Sequence, residues 1–142
     1  MTSSTEPRPA GLPRRLAAGI YDLLLLAGLL MLTGFAVLAG RGFQPIPPGT
    51  RWWQALLLFV CGSFYTAFWH RGGQTLGMRS WRLRVEMLDG RPLSLGTAAL
   101  RFVAALGGLG LLWMLVDTQR RALQDRLTGT RVILLSKPDR GR

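Results

Sequence analysis

At 142 residues the chain has room for one domain, and 18 basic against 7 acidic side chains give it a formal charge of +11. Its 49% hydrophobic content would suit a soluble protein too, but long uncharged runs alternate here with short arginine-rich ones, the patterning of a membrane protein. The arginines flank apolar spans and no binding motif accompanies them, which argues against nucleic acid as a partner.

Cys61 is the sole cysteine and His70 the sole histidine. An intramolecular disulfide is impossible, and a zinc site has no ligand set. Neither triad spacing nor a phosphate loop nor HExxH is present. The expectation is a protein that is not an enzyme, with no catalytic residues, no cofactor and no metal.

Residues 1–12, MTSSTEPRPAGL, are small, polar and proline-containing and read as a disordered tail. A membrane domain follows over 13–135, with 136–142 as a basic C-terminal tail. The first span covers 16–40, where Asp22 is the only charged residue. It exceeds the ~20 apolar residues that cross a bilayer. Its apolar stretch is about twice that of a signal peptide and is interrupted early by Asp22, so an uncleaved anchor is expected.

The loop at 41–51 holds three prolines and two glycines and cannot stay helical. The second span, 52–69, is bracketed by Trp52 and Trp53 at one end and by Trp69 and His70 at the other, an aromatic belt. From Arg71 to Pro92 the chain is hydrophilic and carries five arginines. Within it RLRVEML alternates and runs into the turn pair Asp89-Gly90, a strand signal. TRVILL at 130–135 is a second strand-like run able to pair with it as a small cytoplasmic ribbon.

The third hydrophobic region, 93–116, contains Arg101 and then Gly107, Gly108 and Gly110. Charge bias places the N-terminus and the second loop in the cytoplasm. A full third span would then export a tail with seven basic residues. A re-entrant or broken helix avoids that conflict and is favoured over a plain span. The fold class expected is therefore mainly α and membrane-embedded, with two spans plus this third region.

Asp22 lies too deep to reach head groups and needs a partner. Arg101 is the only basic residue inside another apolar region, so the expectation is that the two approach each other. Arg15 is two helical turns before Asp22 on the same face, with Ala18 and Gly19 between them.

Arg15 opening the first span, Asp22 within it and Asp125 in QRRALQDRLTGT, together with GQTLGMR and DGRPLSLG in order, resemble the RDD family over residues 13–135. The resemblance implies a bacterial inner-membrane, multi-pass protein and a transport role, including cation–proton exchange. Where family members often carry histidine before the final aspartate this chain has Gln124, so a proton relay through that histidine is not implied here.

Two functions follow as expectations. One is an oligomeric transport component, with Asp22 as the binding carboxylate, Arg101 as counter-charge and Asp125 near the cytoplasmic mouth. The other is a non-transporting accessory or assembly subunit. It would bind another membrane protein or anionic lipid through a basic cytoplasmic surface formed by Arg79, Arg82, Arg84, Arg120, Arg121 and Arg126. In either case the partners are the lipid bilayer and a second copy of the chain or another membrane protein.

Overall fold

A computed structural model describes residues 10–106 and 122–136. Its elements in chain order are α1 (Leu12–Gly40), α2 (Arg51–Gly72), α3 (Leu76–Ser80), β1 (Leu83–Met87), α4 (Leu95–Ala105), α5 (Leu123–Leu127) and β2 (Thr130–Leu134).

Pro13 sits in the first turn of α1, where its missing N–H costs nothing. Beyond it the helix runs for 29 residues, about 43 Å at 1.5 Å per residue. Its buried positions are Arg15, Ala18, Asp22 and Leu26, a single narrow stripe. The large apolar side chains face outward instead, with Leu24 70% and Met31 76% exposed. A helix that buries its charges and displays its leucines is built for an apolar surround rather than for water. Among the described residues, α1 is the one helix both long and apolar enough to cross a membrane. The 22 residues of α2 give it about 33 Å, but Gln54, Ser63 and Thr66 dilute its apolar character.

Gly73 ends α2 at φ 64°, donating its N–H to the Trp69 carbonyl. A Cβ there would also run into the Val85 carbonyl oxygen. β1 and β2 pair antiparallel with Val85 opposite Val132. The Ala10 N–H donates to the Val132 carbonyl at 3.1 Å and so ties the start of α1 to the ribbon. Ser94 accepts from the Thr97 N–H and caps α4.

The core lies at this end of the molecule, where Leu83, Val85 and Val132 of the ribbon meet Ala18, Trp69, Met78, Leu93 and Ala98. At the opposite end the Arg41 guanidinium lies 5.9 Å from the Trp52 ring centre. α4 covers Leu95–Ala105 of the third hydrophobic region. Whether that region is re-entrant turns on residues 107–116, which lie outside the described residues, as do Arg120 and Arg121.

Candidate functional site: two buried polar clusters beside a cavity

The first cluster docks the segment after α2 onto α1. Asp22 accepts from the Thr75 hydroxyl at 2.5 Å and from the Gly77 main-chain N–H at 2.8 Å. Thr75 is also the cap of α3, accepting from the Met78 N–H at 3.2 Å. The approach is close enough that a Cβ on Gly77 would collide with the Ala18 carbonyl oxygen. GQTLGMR therefore needs its second glycine because α3 sits directly on the α1 backbone.

The second cluster gathers three segments distant in sequence. Arg15 Nη1 donates to Asp125 Oδ2 at 2.5 Å, and Arg101 Nη1 lies 2.5 Å from Asp125 Oδ1. Arg101 Nη1 also donates to the Thr130 hydroxyl at 2.5 Å, which meets the Thr128 hydroxyl at 2.9 Å. The Arg101 guanidinium sits 5.1 Å over the Trp69 ring, a cation–π contact. The Ala122 N–H donates to Asp125 Oδ2 at 3.3 Å, which joins the start of α5 to the same carboxylate. Burial pushes the Asp125 carboxyl up, but the charges of Arg101 and Arg15 and their hydrogen bonds outweigh it and hold the group below its usual range.

The expected pairing of Asp22 with Arg101 is thus not what the fold makes. Asp22 is satisfied by a hydroxyl and a main-chain N–H, whereas Arg101 is carried by α4 to α5 and β2, where Asp125 lies. Arg15 and Asp125 come together directly, 110 positions apart in the chain. A search for charged partners alone could not find Thr75, Gly77 or Thr130. The one signal in the sequence for them was the glycine inside the hydrophilic LGMR stretch.

Both clusters face a cavity of about 420 Å³ between α1, α2 and α4. Arg15, Asp22, Trp69, Arg101 and Gln124 line its polar end, and Leu23, Leu26, Leu58, Phe102 and Leu106 line the rest. Tyr65 stacks on Phe102 with ring centres 6.1 Å apart, closing the seam between α2 and α4. His70 lies off the cavity and donates from Nδ1 to the Leu93 carbonyl at 3.0 Å, a fastening for the loop before α4. Among the described residues no group of His, Cys, Asp and Glu is placed to hold a metal ion.

Comparison with curated proteins and with solved structures returns no match. The RDD family profile matches residues 9–129, which contain Arg15, Asp22, Arg101 and Asp125, with all of the first cluster and all of the second except Thr130. The chain belongs to the RDD family and is a membrane protein.

Proposed function

We propose that this chain is a non-transporting accessory subunit of a bacterial cytoplasmic membrane, with its N-terminus and ribbon on the cytoplasmic side and α1 and α2 as spans. The observation that carries the reading is that the signature side chains are engaged by partners inside the fold. Both Asp22 oxygens are taken by Thr75 and Gly77, and Asp125 is held between Arg15 and Arg101.

The basic end supplies the contact surface. Arg14, Arg71, Arg79, Arg82 and Arg84 are exposed there around a 42% exposed Trp81. That is the composition that favours anionic head groups and acidic protein surfaces. The second reading, cation–proton exchange in an oligomer, is favoured by one observation, the position of Asp22 on the cavity wall.

Proteoliposomes under a sodium or potassium gradient, with a pH dye inside, separate the two. The accessory reading expects no proton movement beyond that of protein-free vesicles. Gradient-driven flux that Asp22→Asn abolishes would overturn it. Photocrosslinkers placed at Arg79 and Arg84 in cells are expected to give a discrete adduct with another membrane protein.

A further inference from the structure

We infer that the cavity between α1, α2 and α4 binds an anionic amphiphile, whose acidic headgroup completes the Arg15–Asp125–Arg101 cluster and whose hydrocarbon chain lies along the leucine wall. This site is separate from the exposed basic end and does not depend on the accessory reading.

Three observations converge on it. The cluster holds two guanidinium groups and one carboxylate, so one positive charge is unmatched within it, in a place shielded from water. At the same end, Arg101 Nε, Trp69 Nε1 and Gln124 Oε1 on the cavity wall have no hydrogen-bond partner among the described residues, and Asp125 Oδ1, behind that wall, has only its ion pair with Arg101. The three wall residues are only 4%, 8% and 8% exposed. Native structures seldom leave such atoms unmet, and three around one cavity mark where a ligand's polar atoms belong.

The chemistry of those atoms defines the headgroup. Two N–H donors beside an uncompensated cation call for an anionic oxygen, a carboxylate or phosphate. The Gln124 carbonyl calls for a donor, such as a hydroxyl on the same headgroup. Asp22 on the same wall is met only by the neutral donors of α3 and still repels an anion, so the headgroup belongs at Arg101, Trp69 and Gln124 rather than beside Asp22.

The apolar part defines the tail and the route. Leu23, Leu58 and Leu106 line the cavity and are also 59%, 50% and 52% exposed. The wall therefore runs without a break from the polar end to the outer surface of the helices. A ligand enters sideways from the hydrocarbon layer, headgroup leading.

Gly19 provides a way to close the site without touching the charges. It lines the cavity, and a Cβ there would meet nothing within 4 Å. Gly28 is equally open on the same helix but does not line the cavity, so Gly28→Phe is the matched control.

The experiment is native mass spectrometry of the full chain in detergent, titrated with dioleoyl phosphatidylglycerol, oleate, dioleoyl phosphatidylcholine and inorganic phosphate. One-to-one adducts with phosphatidylglycerol or oleate are expected, at least tenfold tighter than with phosphatidylcholine. Tighter binding of phosphatidylglycerol would identify a bilayer phospholipid as the source, and tighter binding of oleate a free acid. Gly19→Phe is expected to lose the adduct at least tenfold while Gly28→Phe keeps it. Gln124→Leu, which leaves the ion cluster in place, is expected to weaken it about fivefold, the equivalent of one hydrogen bond.

Equal retention of phosphatidylcholine, or adducts undiminished in both Gly19→Phe and Gln124→Leu, would overturn the inference. So would inorganic phosphate competing as well as the amphiphiles do. Replacing exposed Arg79, Arg82 and Arg84 by Gln should leave the adduct unchanged. Loss there, with retention in Gly19→Phe, would place the lipid on the basic end and refute the cavity site while sparing the accessory reading.

Discussion

Replacing Asp125 should be the most damaging single substitution in the described fold, and the asymmetry with its partners is the test. The carboxylate faces a guanidinium on each side at 2.5 Å, and its side chain is fully buried. With charge centres about 4 Å apart and an effective dielectric near 20, each pairing contributes roughly 4 kcal/mol of gross attraction. Desolvation of the ions offsets much of that, so removing one partner of such a group costs a net ~3–5 kcal/mol. Asp125→Ala leaves two cations facing each other and should reach or exceed the top of that range. Arg15→Met leaves a balanced Asp125–Arg101 pair and should cost less, about 1–3 kcal/mol.

Thermal unfolding and denaturant titration of purified protein in detergent measure both. The triple variant Arg15→Met/Asp125→Leu/Arg101→Met should recover most of the loss, since a buried ion triad can be replaced by apolar side chains of similar volume. If Asp125→Ala costs under ~1 kcal/mol, or Arg15→Met costs as much as Asp125→Ala, the cluster does not hold the fold as described.

The acid limb of stability follows from the same carboxylate. Its folded value lies below the ordinary aspartate value of 3.8, so its contribution is complete above that value and disappears as pH falls through the lower, folded one. The stability gap between wild type and Asp125→Asn should be flat from pH 8 to 5 and narrow only below about pH 4, as read by thermal unfolding across pH. At Asp22, Asn should be tolerated within ~1 kcal/mol, because its oxygen can still accept from Gly77 and its amide can donate to Thr75. Asp22→Leu strands the Gly77 N–H and the Thr75 hydroxyl and should cost ~2–4 kcal/mol in the same unfolding assay. Gly77→Ala should destabilise by about 1–3 kcal/mol through the clash with the Ala18 carbonyl, whereas Gly96→Ala, in open space on α4, should be neutral or slightly stabilising.

Much of this protein could be read directly from its residues. Apolar run length set α1, because a helix in lipid must satisfy its backbone internally over a fixed thickness. The prolines and glycines of 41–51 could not continue a helix, and alternation in LRVEM needed no partner to declare a strand. Asp22 stands out because charge inside apolar sequence is costly and therefore purposeful, whereas Arg15 and Asp125 are marked as its companions only by the family resemblance. Their pairing could not be read the same way. Asp22 and Arg101 were matched as the two charges within apolar regions, but a carboxylate is equally well served by a hydroxyl and a main-chain N–H. Which donors arrive is decided by where chain segments cross. Packing of α3 on Ala18 brought Thr75 and Gly77 to Asp22, and the ribbon and α5 brought Asp125 and Thr130 to Arg101. The register of Val85 on Val132 and the cavity with its unmet polar atoms belong to the same class of fact. They arise from the relative placement of segments up to 110 positions apart, and spacing along one helix carries no information about that placement.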